Sequence, residues 1–272
     1  MVLMFINWGF EALKWQLLVR SIEKISFLMS LRAIFSGQAF AFNTINRIGE
    51  PAGRAIFLQE GNRIRGIFLS FVSGISQTVV SLLLGLISLI FLRVHILDAT
   101  HHWQALSGPW LDILTYGVAL GLVIYLLLYY KMPWMIHLLE RIPILARYKF
   151  FVEKLEELHW KELTKILFLS VCRYIVFVSQ YILLLQVFGV AIFWTDAAGL
   201  VCVMLLILAI IPTVALAELG FRGKLGIQLF GLLSSNTVGI VATAAGIWII
   251  NLVIPAIVGS LFILGVRLFR NK

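Results

Sequence analysis

Gly49-Glu50-Pro51-Ala52-Gly53-Arg54 and Glu218-Leu219-Gly220-Phe221-Arg222 are two polar islands in an otherwise oily chain. Each sets an arginine four residues after a glutamate, amid helix-breaking Gly or Pro, and each is flanked by hydrophobic segments. Charged groups inside a bilayer are costly and mark pathways or binding sites. A repeated pair of helix interruptions is also a sequence pointer to the central site of a transporter. Two elements of one design therefore direct the reading towards an internal repeat.

The rest of the chain is what a membrane would select. It is 61% hydrophobic and only 13% charged, and the apolar runs 66–92, 110–130, 163–188 and 237–266 approach or exceed the ~20 residues that cross a hydrocarbon core. The net charge of +9 does not call for nucleic acid as a partner, because membrane proteins collect Lys and Arg in cytoplasmic loops. Cys172 and Cys202 fall within apolar segments, which argues against a disulfide framework or a thiolate metal site. The first apolar stretch, 2–19, carries Glu11 and Lys14 inside it. A cleavable signal would place its positive charge ahead of the apolar core.

Charge also orients the spans. Lys131, Arg141, Arg147, Lys149, Lys154, Lys161 and Lys165 fill one loop, and Arg267, Arg270 and Lys272 the tail. Both belong in the cytoplasm by the positive-inside rule, in a multi-pass protein of the cell inner membrane. Loop 93–109 carries one arginine and loop 189–196 no Lys or Arg, so these lie outside. Segment 197–235 then starts and ends on the outer side. It reads as a re-entrant hairpin, with 197–212 going in, 225–235 coming back and Glu218 and Arg222 at the tip. Segment 25–62 lies between cytoplasmic basic residues and dips in from the other side, with Glu50 and Arg54 near its turn. Re-entrant backbone is tolerated only where protein or a wet cavity covers it. The expected fold is an all-α bundle in one membrane domain, with a first repeat over 1–92 and an inverted second repeat over 110–272. The first repeat is one helix short, which implies an N-terminal span lost or not included. Segment 132–162 mixes bulky apolar residues with both charge signs and reads as amphipathic helix on the inner surface or as a solvated connector.

Candidate substrate-binding residues follow from the islands. Pro51 favours the first helical position, so Glu50 sits near the helix start with Arg54 one turn along. Helix N-termini attract anions, and arginine adds a planar fork for phosphate. Two such elements meeting from opposite sides would make a cationic pocket. A glutamate and an arginine one turn apart also neutralise each other and cheapen burial; the recurrence of the spacing favours the site. Arg173 and Gln180 share a helix face and point either to the bundle interior or, for the arginine, to the surface. Gln38, Asn43 and Asn46 are candidates for lining a wet vestibule or for bonding irregular backbone. Glu11 and Lys14 share a face, a pairing between helices being the simpler reading. His95, His101 and His102 are poorly spaced for a metal ion and have no supporting carboxylate or cysteine pattern. No nucleotide-binding or hydrolase motif is present, and no cofactor is called for.

The order Asn7-Trp8…Lys14-Trp15, Asn46-Arg47-Ile48-Gly49-Glu50-Pro51-Ala52-Gly53-Arg54, Arg173…Gln180, then Ile211-Pro212-Thr213…Glu218-Leu219-Gly220 resembles the transmembrane region of the lysylphosphatidylglycerol synthase family. The resemblance covers essentially the whole chain. It implies a flippase-like module that moves or presents a lipid between leaflets, and a further helix ahead of 2–19. The family's aminoacyl chemistry belongs to a soluble C-terminal domain. This chain closes within a few residues of its last span, so enzymatic aminoacylation is not expected. Pro212-Thr213-Val214-Ala215 stands where relatives commonly carry Gly-Gly-hydrophobic-Gly, which leaves the substrate open. The resulting expectation is a transporter of an anionic or lipid-linked substrate. The alternative is a non-transporting subunit that holds such a lipid for a separate glycosyltransferase or synthase.

Overall fold

The computed structural model describes residues 1–42, 44–97, 108–131, 159–211 and 214–270. Every regular element among them is helical: α1 (Val2–Val19), α2 (Phe27–Phe42), α3 (Glu50–Ala55), α4 (Arg63–Leu92), α5 (Gly108–Tyr130), α6 (Trp160–Val187), α7 (Trp194–Ile210), α8 (Ala215–Phe230), α9 (Thr237–Trp248) and α10 (Ile254–Arg270). A π-turn, Ile249–Val253, joins α9 to α10. Among the described residues four stretches are long and apolar enough to cross a membrane: Glu60–His95, Leu111–Tyr130, Trp160–Val187 and Thr237–Gly265. Phe27–Phe42 and Trp194–Ile210 are apolar but shorter. The amphipathic segment expected at 132–162 lies almost wholly outside the described residues, as do Asn43, His101, His102 and the side chain of Asn46.

Helix α1 shows how polarity is sorted. Met4, Trp8, Glu11, Trp15 and Leu18 recur at helical spacing and are buried, together with Asn7 and Lys14. Val2, Phe5 and Leu13 face outward. A helix with its charges inside and its hydrocarbon outside is the reverse of a soluble one, and it fits a lipid exterior. Because lipid tails are as apolar as leucine, such helices are held by close packing and interior polar contacts. Both are present. Trp8, Trp15, Ile34, Phe35, Leu69 and Ile166 form one core between α1, α2, α4 and α6. Tyr181, Leu185, Leu200, Met204, Phe230 and Ile240 form a second between α6, α7, α8 and α9.

The packing is reciprocal. Helix α2 lies on α10, and α7 lies on α4, so the first arm of each hairpin-like pair rests on the last helix of the other half. Helices α1 and α6 face each other between them. Each short polar helix is bracketed within its own half, α3 by α2 and α4, α8 by α7 and α9.

The structure moves the second turn. The second break falls after Ile210 and before Ala215, so Glu218 and Arg222 ride the first turns of α8 rather than a tip loop. The first break precedes Glu50, which opens α3 with Pro51 in its first turn, as the sequence indicates. Gly220 and Gly223 do not break α8, because a helical glycine costs only about 1 kcal/mol relative to alanine, and the Ala, Leu and Lys residues around them are good helix formers. Along α4, Gly66 seats the Leu58 side chain, whereas Gly74 meets nothing within 4 Å.

The contacts of α2 with α10 and with α3 rest on backbone approaches that exclude a side chain. A Cβ on Gly259 would stand 1.9 Å from the Phe35 carbonyl oxygen, and one on Gly53 2.6 Å from that of Ser36. Gly259→Val and Gly53→Val are expected to destabilise the protein by roughly 1–3 kcal/mol. Gly117→Ala, inside α5 with open space around it, should instead raise stability by up to about 1 kcal/mol. Thermal unfolding in detergent micelles checks the contrast.

Candidate functional site

Glu11, 2% exposed, is the centre of a four-element cluster. Its Oε1 accepts from Arg54 Nη2 of α3 at 2.8 Å and from Ser73 Oγ of α4 at 3.0 Å. Its Oε2 meets Lys14 Nζ at 2.9 Å and Arg173 Nη1 of α6 at 3.0 Å. Arg54 Nη2 also donates to Glu50. Arg173 Nη1 reaches Gln77 Oε1 at 3.3 Å, and its guanidinium stands 5.1 Å from the centre of the Trp8 ring. Lys14 donates to Ser170 Oγ at 3.1 Å, which in turn lies 2.9 Å from Ser76 Oγ. Small serines let α1, α4 and α6 approach closely while satisfying the buried lysine.

The second island is simpler. On α8, Arg222 Nε donates to Glu218 Oε1 at 2.9 Å, and Nη2 donates to the same oxygen. One cavity of about 570 Å³ joins both islands: Glu11, Lys14, Glu50, Arg54, Arg173, Glu218 and Arg222 all line it. Arg47 lines it as well and stands within electrostatic reach of both Glu50 and Glu218. Its backbone is left-handed, at φ 59°. For a residue with a Cβ that conformation costs roughly 1–2 kcal/mol, which the surrounding turn holds in place.

Of the residues singled out from sequence, Glu50, Arg54, Glu218, Arg222 and Arg173 meet in this cavity. Gln180 does not line it. It is buried, and its Oε1 accepts from Asn251 Nδ2 at 3.1 Å. It shares a face with Arg173, yet seven residues along a helix is a rise of about 10 Å, enough to leave the site. Gln38 is also buried away from the cavity. Glu11 and Lys14 do pair helices, as their spacing suggests, but they also belong to the site. Two charges within one apolar stretch were the signal for them. Gln77 and Arg47 carried no signal beyond their polarity.

Both helix starts carry a glutamate, and α3 spans six residues. The free donors are on side chains. Among the described residues Arg54 Nε and Nη1, Arg173 Nε, Arg222 Nη1 and Trp8 Nε1 are buried without partners. Each arginine is thus pinned on one side by a carboxylate and unspent on another. That arrangement pre-orients donors for an anion.

Removing one member of a buried ion cluster leaves the others uncompensated, at a cost of roughly 3–5 kcal/mol, whereas removing both partners is milder. Glu11→Gln should therefore lower stability strongly, and adding Lys14→Met should recover part of the loss. Unfolding midpoints of the two single variants and the double variant measure this.

A family model described as Lysylphosphatidylglycerol synthase TM region matches residues 1–259. No curated protein and no solved structure matches the chain.

Proposed function

The chain belongs to the lysylphosphatidylglycerol synthase transmembrane-region family, and from that premise we propose that it is a flippase-like protein that moves an anionic lipid head group between leaflets. The observation that carries this reading is the shared cavity. Two Glu–Arg helices, more than 160 residues apart in sequence, are brought to one space with buried arginine N–H groups unspent. A head group would bind between Arg54 and Arg222 while its tails stay in the hydrocarbon. Phe71 and Tyr125 also line the cavity and are partly exposed, an apolar rim suited to acyl chains.

In this reading α2–α3 and α7–α8 are re-entrant arms entering from opposite faces of the inner membrane. The reciprocal packing of α2 on α10 and α7 on α4 supports an inverted repeat, and the basic segment 131–165 and the tail face the cytoplasm. Movement is driven by the substrate gradient or the membrane potential, and no bond is made or broken.

Transbilayer exchange of a fluorescent anionic phospholipid in reconstituted vesicles tests the proposal. The protein should accelerate exchange. A lost charge-assisted hydrogen bond is worth about 1.5–3 kcal/mol, so Arg54→Ala and Arg222→Ala should each slow exchange by roughly tenfold or more. Saturable lipid binding without exchange would instead favour a subunit that presents the lipid to a separate enzyme. Wild-type rates in both variants would remove the cavity from the mechanism.

A further inference from the structure

We infer that the cavity is matched to a doubly charged phosphate, a phosphomonoester, rather than to the singly charged phosphodiester of ordinary phospholipids. The inference rests on the anionic-substrate reading above and narrows it. The cavity wall holds five cations, Lys14, Arg47, Arg54, Arg173 and Arg222, against three carboxylates, Glu11, Glu50 and Glu218, a formal excess of two positive charges. Inside a low-dielectric bundle an uncompensated charge is expensive. A phosphodiester would leave one charge unmatched, and a zwitterionic head group would leave both. A phosphomonoester dianion closes the balance.

Hydrogen bonding points the same way. The unspent buried groups of the lining are mostly donors, Arg54 Nε and Nη1, Arg173 Nε, Arg222 Nη1 and Trp8 Nε1, beside the Ser70 and Tyr174 hydroxyls and one amide acceptor, Asn7 Oδ1. A phosphomonoester offers three non-bridging oxygens to them, each able to accept more than one bond, and a phosphodiester only two. The central carboxylate, Glu11, is already committed, with two partners on each oxygen. The other two, Glu50 and Glu218, hold Arg54 and Arg222 through Oε1. The unspent arginine and tryptophan donors outnumber the free acceptor atoms of the lining, as an acceptor-only dianion requires. Two sources present this chemistry, a lipid phosphomonoester and a soluble one, and the test separates them.

The full chain in nanodiscs of zwitterionic phosphatidylcholine is titrated at pH 8 with phosphatidic acid, phosphatidylglycerol, glycerol 3-phosphate and inorganic phosphate. Binding is followed by native mass spectrometry and by the fluorescence of the tryptophans that line the cavity. Phosphatidic acid is expected to bind at least about tenfold more tightly than phosphatidylglycerol. Arg47→Asn removes one of the two excess charges and keeps a residue type that tolerates the left-handed backbone. It should pull that ratio towards unity. Equal binding of the two lipids overturns the phosphomonoester assignment and leaves the anionic-lipid reading standing. Glycerol 3-phosphate or inorganic phosphate binding as tightly as phosphatidic acid supports the dianion site and overturns the lipid source. No phosphate compound binding, with the protein folded, overturns both.

Discussion

A single carboxylate organises the interior. Glu11 draws in Lys14 from its own helix, Arg54 from α3, Arg173 from α6 and the Ser73 hydroxyl from α4. None of these ions is tolerable alone in hydrocarbon surroundings, and removing any one exposes the rest. One glutamate cannot neutralise three cations. Glu50 takes a share of Arg54, while Gln77 and the Trp8 ring cushion Arg173. The residue of positive charge is held open to the cavity, where the proposed head group would meet it. Stability and recognition are therefore drawn from the same contacts, and the site is part of what keeps α1, α3, α4 and α6 together.

Around that centre the two halves clasp each other. Because α2 rests on α10 and α7 on α4, neither half can shift as a block without disturbing a contact in the other. The short helices that carry the arginines are tied instead to neighbours from their own half. A relative movement of the halves would carry Arg54 and Arg222 with different partners and so change the spacing between them. Arg47, near both Glu50 and Glu218, stands where that spacing is felt.

Much of this was legible in the amino-acid order, and the parts that were not have physical reasons. Long apolar runs declare themselves by length, and the two Glu–Arg pairs stand out because polarity is rare in such a chain. Helix faces were readable, but depth along a helix was not: Arg173 reaches the cavity and Gln180, two turns on, binds Asn251 instead. The second turn lies earlier than the glycines suggest, because in α8 the surrounding helix formers carry the helix through Gly220 and Gly223, whereas Pro51 marks the start of α3 correctly. The central role of Glu11 was out of reach, since its arginine partners lie 43 and 162 residues away. No local pattern encodes such a meeting.

The π-turn at Ile249–Val253 has a mechanical meaning. Pro255 has no N–H to offer the Asn251 carbonyl four residues earlier, and the helix widens there by one residue per turn rather than ending. At that widened turn Asn251 accepts from Asn7 Nδ2 of α1 and donates to Gln180 of α6. A proline-marked, widened turn is where a helix bends most readily. The last span is thus two levers with a pinned joint: α10 under the first half's arm, α9 beside the second half's arginine helix. The joint's pin is a chain of neutral amides, which can re-form at a new angle without moving a charge.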